Sequence, residues 1–346
     1  MKKKVIFCLI TIIMLSSVTI LSANVNFYGS ARLKYWYEHT DEDWNSDTNE
    51  SNLALDYGMQ GNSRLGANFN TNGVTGKVEL GLSPSDVKLR LLYGKITNGD
   101  MSITIGQDYS GFQAYGDQVY DDDLNFIYYG LFYDGPLPMV KLTYMDRFNV
   151  MFITPKEVDN AGLGGLQSLI PKINLSYEYT DPDFYFSASA GFNMNQYNED
   201  YSTGGVDEMI LAYAVSLTGK YDFEEMNLLV QLSYGVNVEN YGIYTITPSA
   251  IVYDAYNDSF EDTQTLGGLV IVSSKILTAG VSYIQTSNSL WDEDDTAMSA
   301  FIQKPITVYK NILLVPEVGM FDHMKDHSGN DEGTKIYGGM KIQIDM

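Results

Sequence analysis

From Val25 onward, apolar side chains fall on every second position. Val25, Phe27, Gly29, Ala31, Leu33, Tyr35 and Tyr37 share one parity, and Asn26, Tyr28, Ser30, Arg32, Lys34, Trp36 and Glu38 share the other. A strand points successive side chains to opposite faces, so the segment predicts an apolar surface backed by a polar one. The period returns in Leu65, Ala67 and Phe69 against Arg64, Asn68 and Asn70, in Val74, Val78, Leu80 and Leu82 against Thr75, Lys77 and Glu79, and in Val87, Leu89, Leu91 and Tyr93 against Lys88 and Arg90. It continues in Ile173, Leu175, Tyr177 and Tyr179 against Lys172, Asn174, Ser176 and Glu178, and in Phe184, Phe186, Ala188, Ala190 and Phe192 against Tyr185, Ser187 and Ser189. Met340, Ile342, Ile344 and Met346 carry it to the last residue. No stripe of helical period accompanies these segments.

The connections alternate in length. Short reversals are read at 71–73, 97–100, 145–147, 180–183, 220–225, 273–275 and 304–311, several with the Asn-Gly or Asp-Pro chemistry of tight turns. Longer acidic links lie between them, at about 39–51, 110–137, 154–170, 194–207, 236–263, 287–296 and 322–334. Only Ser83-Pro84-Ser85-Asp86 is short where the rhythm asks for a long link. This rhythm predicts about sixteen strands, each near the 9 to 11 residues that cross a bilayer when tilted, with fourteen and eighteen left open.

The fold class predicted is therefore all-β, an antiparallel transmembrane β-barrel. In hydrocarbon every amide must be paired, and a closed sheet leaves no edge. Apolar residues then face lipid and polar ones a wet lumen. Ile243 to Tyr253 also reads as a strand, but inserting it makes the count odd, and Pro248 at its centre suits a loop, so it is assigned to the link. A secreted β-sandwich also alternates, but it does not require the long acidic links to share one parity.

Composition sharpens this picture. With 21 Lys plus Arg against 44 Asp plus Glu, the net charge of -23 speaks against nucleic acid as a partner. One stretch, Val5 to Leu21, follows the basic residues Lys2, Lys3 and Lys4 and ends at Ser22-Ala23, which reads as a signal peptide over 1–23 ahead of a barrel domain over 24–346. The single Cys, Cys8, lies within it, so the barrel is expected to fold without disulfides.

Asn26-Phe27-Tyr28-Gly29-Ser30-Ala31-Arg32 resembles the first strand of the Gram-negative trimeric porin family. Asn62-Ser63-Arg64-Leu65-Gly66 resembles its second and third strands, and Leu89 to Gly94 followed by Ile105-Gly106-Gln107-Asp108 is similar to its later pattern. The likeness is specific over roughly residues 24–145. Met346 stands where family members usually end in Phe, and the Pro-Glu-Phe-Gly-Gly motif of enteric members is absent. The resemblance implies a homotrimer of sixteen-stranded barrels in the bacterial outer membrane, in contact with membrane lipid and lipopolysaccharide, passing small hydrophilic solutes and ions by diffusion. It also implies that the loop after the fifth strand folds inward and narrows the pore. That position is held by Ser110 to Gly135, with Asp117, Asp121, Asp122, Asp123 and Asp134. Strand parity independently points Arg32, Lys34, Arg64, Lys77, Lys88, Arg90 and Lys141 into the lumen, a basic wall facing an acidic loop across water. The excess of acids predicts a weak cation preference.

Other chemistry is thinner. His39, His323 and His327 are the only histidines and are expected in outer loops, so no metal or cofactor is predicted. Asp41, Asp43, Asn45 and Asp47 occupy alternate positions of a calcium loop, but Ser46 replaces its Gly and Asn52 its bidentate Glu. Divalent bridging to lipopolysaccharide through acids such as Asp292, Glu293, Asp294 and Asp295 is a milder expectation. No base stands with a nucleophile, so the chain is read as a non-enzyme, with an outer-membrane hydrolase as the enzyme alternative. Tyr28, Trp36, Tyr185 and Tyr337 share the polar parity and raise the alternative of a stacking track in a sugar-specific channel.

Overall fold

The computed structural model describes residues 24–45, 50–159, 162–198, 207–257 and 259–346. The signal peptide expected over 1–23, with Cys8, and Asp47 of the calcium-like run lie outside them.

The alternating segments form strands β1 (Asn24–Thr40), β2 (Asn52–Met59), β3 (Ser63–Thr71), β4 (Val74–Leu82), β5 (Val87–Asn98), β6 (Met101–Tyr109), β7 (Pro136–Tyr144) and β8 (Phe148–Ile153). They continue as β9 (Leu166–Ser168), β10 (Lys172–Thr180), β11 (Phe184–Tyr197), β12 (Glu208–Asp222), β13 (Met226–Val236), β14 (Val252–Asp254), β15 (Ser259–Glu261) and β16 (Gln264–Ser274). The last are β17 (Thr278–Ser287), β18 (Asp295–Gln303), β19 (Ile306–Tyr309), β20 (Ile312–Lys325) and β21 (Thr334–Asp345). Every pair of these strands is antiparallel, and β21 closes onto β1 from Ser30↔Asp345 to Thr40↔Lys335.

Three pairs of segments are each one spanning strand. β2 and β3 lie end to end along β1, with Leu33↔Met59 above and Ser30↔Arg64 below. β9 and β10 do the same along β11, and β18 and β19 along β20. β14 and β15 pair only with each other, so most of 243–253 is loop and none of it joins the barrel ladder. The result is a closed barrel of sixteen spanning strands, with no open edge left to solvate.

Turn chemistry explains the short end. Asn72 and Gly73 both take positive φ, 45° and 82°, as a two-residue reversal matched to strand twist requires. The outward parity is apolar and exposed, with Phe27 at 80%, Leu53 at 72% and Tyr57 at 72%. Such a surface is stable only against acyl chains. Replacing Val215, outward at the middle of β12 and paired with Ala190 and Tyr234, by Arg is expected to cost about 2–4 kcal/mol in lipid vesicles. Urea unfolding of the refolded barrel measures it, and an unchanged midpoint would place that face out of the hydrocarbon.

One phase reading is corrected. The β4–β5 register shifts between Glu79↔Leu91 and Leu80↔Leu89, leaving Arg90 as the extra residue of a bulge. Beyond it Leu91 is buried, and Leu92, opposite Val78, takes the outward exposed place. Leu91 and Tyr93 therefore turn with Glu79 and Lys77 to the inner side. An added residue in a period-two pattern moves all that follow to the other face.

Candidate functional site

The chain between β6 and β7, residues 110–135, folds into the barrel. Its backbone is locally costly: Asp121, Asp123, Asn125, Phe126 and Tyr128 all have positive φ, between 49° and 78°. For a residue with a Cβ that conformation costs about 1–2 kcal/mol. The wall must hold the loop in place, and it does so through a dense set of contacts.

The break between β2 and β3 is part of this hold. Gln60 donates to the carbonyl of Val119 at 3.1 Å and to that of Asp121, the Gly61 amide donates to Asp122 Oδ1 at 2.6 Å, and Asn62 Nδ2 donates to Asp123 Oδ2 at 2.6 Å. Opposite, Glu317 of β20 accepts the amides of Val119 at 2.8 Å and Tyr120 at 2.9 Å, and the Tyr337 hydroxyl at 3.0 Å. Its two oxygens thus satisfy backbone donors that the irregular loop leaves unpaired.

The loop crosses to the far wall. Phe126 and Leu131 pack with Leu229, Leu269, Ile271 and Phe301. Gly130, at φ 115°, lies so close to β16 and β17 that a Cβ there would sit 2.4 Å from the Tyr283 carbonyl oxygen, so only Gly fits.

Wall and loop charges meet directly rather than across water. Arg32 pairs with Asp123, Lys34 with Asp121 and, at 2.7 Å, with Asp56, while Lys341 reaches Asp123 at 2.7 Å. Arg90 holds Glu79 at 2.8 Å and donates to the Tyr109 hydroxyl at 2.7 Å. Lys77 lies 3.8 Å from Glu79 and Lys141 pairs with Asp108. Lys88 does not belong to this wall: it sits beside the 83–86 turn with its side chain 78% exposed, 3.9 Å from Asp86. Among the described residues, no Lys or Arg lies within 4.0 Å of Asp117 or Asp122, and no carboxylate lies that close to Arg64. Burial raises the carboxyls of Asp117 and Asp122 above their usual range; Asp121 adds to this at Asp122, and the Gly61 amide opposes it.

Two cavities flank the loop. One of about 490 Å³ is lined by Asn62, Arg64, Arg90, Tyr109, Asp122 and Tyr133, among others. The other, about 610 Å³, lies against Asp117, Lys220, Asn227, Ser273, Gln303 and Lys341. Asp123 and Asn125 border both.

Several expected roles fail on placement. Trp36 and Tyr337 are fully buried beneath the loop in a cluster with Tyr120 and Phe321, so neither offers a ring to a sugar. Tyr28 donates to Glu79 at 2.8 Å, and Tyr185 meets the Tyr115 hydroxyl at 2.9 Å. His39 and His323 are strand residues, in β1 and β20, rather than loop residues. His323 stacks on Trp44 at 4.1 Å and contacts the Tyr129 hydroxyl at 2.8 Å. Asp41 spends its oxygens on the amides of Trp44 at 2.9 Å and Thr334 at 2.7 Å. Among the described residues no group of three His, Cys, Asp or Glu side chains is placed to hold a metal ion.

Glu317, Lys341, Gln60 and Asn62 escaped sequence reading. Lys341 carried a signal, since it alternates with Met340 and Ile342. Gln60 and Asn62 share the even, inward parity of Asp56 and Arg64, because the break between β2 and β3 adds two residues, but parity does not show that their amides meet the loop.

No protein-family model and no curated protein matches the chain. Among solved structures, the outer membrane channel DcaP of Acinetobacter baumannii is similar at a TM-score of 0.75 and 18% identity, over 95% of this chain and 99% of that one. This chain has the porin fold. An anion-selective porin from Comamonas acidovorans matches at a TM-score of 0.56 and 14% identity, over 94% of this chain and 100% of its own. OmpF of Salmonella typhi matches at 0.54 and 13%, over 92% and 97%. The porin fold thus extends over nearly the whole described barrel, including the part beyond residue 145 where sequence resemblance ended.

Proposed function

We propose that the chain is an outer-membrane diffusion channel for small hydrophilic solutes and ions, with a weak cation preference. The observation that carries this reading is the pair of cavities meeting at Asp123 and Asn125, inside a closed barrel whose outer face is apolar. Cation preference follows from the charges left without a close partner, Asp117 and Asp122 against Arg64. At about 10 Å in water each such charge acts with roughly 0.4 kcal/mol, so a few of them bias ions several-fold without forming a tight site.

Planar-bilayer recording of the refolded protein tests the reading. The expected result is stepwise ohmic current whose reversal potential in a salt gradient favours cations modestly. A barrel that inserts but carries no current overturns the channel, and strong anion selectivity overturns the charge argument. A homotrimer is supported by a related barrel, OmpT of Vibrio cholerae, which is described in a trimer form. Contact with lipopolysaccharide rests on the acids of the outer links, of which Asp292 and Asp294 have no Lys or Arg within 4.0 Å among the described residues.

A further inference from the structure

A second loop shares the lumen with 110–135. After β13 the chain makes a helical turn at Val238–Tyr241 and runs inward before returning to β14. Val238, Tyr241 and Ile243 are fully buried, packed on Phe112 and Phe132 of the first loop and on Ala212 and Ala214 of the β12 inner face. Thr245 bridges Tyr128, and the Ile246 amide donates to the Tyr128 carbonyl at 3.0 Å.

Lys172 of β10 sits where the two loops meet. Its Nζ pairs with Asp134 at 3.1 Å, donates to the Tyr241 carbonyl at 3.2 Å and lies 4.4 Å from the centre of the Tyr241 ring. The two charged side chains are 1% and 0% exposed. Asp134 also accepts from Ser110, which ties the ends of the first loop together. Neither cavity at Asp123 and Asn125 is lined by the second loop.

We propose that residues 237–251 form a second pore-shaping loop and that Lys172 is the positioning residue that locks it to the first. One half of the lumen is thereby sealed, and solutes are confined to the side bordered by Asp123 and Asn125. This rests on the channel reading. Without the ammonium, Asp134 is a buried carboxylate lacking its cation and Tyr241 a carbonyl lacking its donor; both recruit water, and water between the loops separates them.

The test is Lys172→Met in the refolded full chain, with Cys8→Ser throughout. Conductance is expected to rise on the order of two-fold with a larger solute cutoff, while Lys172→Arg stays near wild type. Adding Tyr128→Cys and Thr245→Cys to Lys172→Met should return conductance to the wild-type value when oxidised and release it on reduction. A separate readout needs no current: a cysteine placed by Ile243→Cys should resist a water-soluble maleimide with Lys172 present and react with Met in its place. Wild-type conductance and an unreactive thiol in the Lys172→Met barrel overturn the proposal. If that variant does not refold, the cysteine pair in the Lys172 protein decides: ready disulfide formation with unchanged conductance supports the proposal, and no disulfide overturns it. A wild-type barrel without current sinks the channel reading, and the maleimide contrast still decides whether Lys172 holds the loops together.

Discussion

Replacing Glu317 by Ala is expected to free the 110–135 loop from the wall and raise single-channel conductance on the order of two-fold, with added current noise. The carboxylate accepts the amides of Val119 and Tyr120 and the Tyr337 hydroxyl, and only 4% of the residue is exposed. Leaving a buried donor unpaired costs about 1–3 kcal/mol, and three donors are orphaned together. The same segment carries the left-handed residues Asp121 and Asp123, so little in its own backbone preference holds the inward path once the anchor is gone. Glu317→Gln keeps one acceptor oxygen and should fall between the two. The strands do not depend on this contact, so the variant should still give the circular-dichroism spectrum of a β-barrel. Conductance and noise matching wild type in a folded Glu317→Ala barrel would show that the loop is held without this anchor.

Replacing Asp121 and Asp123 together by Asn is expected to move the reversal potential towards anions, changing the permeability ratio several-fold at low salt. The two carboxylates neutralise Arg32, Lys34 and Lys341, and of these only Lys34 keeps a second partner, Asp56. The double variant therefore uncovers positive charge beside the border shared by the two cavities. Two charges acting at about 10 Å sum to roughly 1 kcal/mol, which corresponds to about five-fold in an ion ratio. The Debye length shrinks from about 10 Å at 0.1 M to about 3 Å at 1 M, so the shift should be largest in dilute salt and fade in concentrated salt. Recording at both concentrations checks this. An unchanged ratio at 0.1 M, or a move towards cations, would contradict the placement of these pairs beside the ion path.

Much of the barrel was legible before folding was considered. Most turn positions, the long outer links and the exclusion of most of 243–253 from the wall follow from chain-local signals such as Asn72-Gly73 and Pro248; the reversal read at 304–311 narrows to 310–311, because Ile306–Tyr309 pairs as β19. The site was legible only in outline. Parity put Arg32, Lys34 and Lys141 on the polar face, but it also put Lys88 there, which sits at a turn beside Asp86. Parity names a face without giving depth along the strand. Trp36 and Tyr337 show the same limit: an inward aromatic lines water only where no loop covers it, and here the 110–135 loop does. A bulge shifts the phase downstream: Arg90 itself faces inward as parity expects, but Leu91 and Tyr93 beyond it change faces.

The sequence by itself determined a closed antiparallel sheet with one greasy and one wet face, because period and connection length are properties of neighbouring residues. Only the tertiary structure decided which charges meet. Asp123 binds Arg32, 91 positions before it, and Lys341, 218 positions after it. Those partners become neighbours because β21 closes onto β1, and Asp123 reaches both because its loop turns inward across that seam.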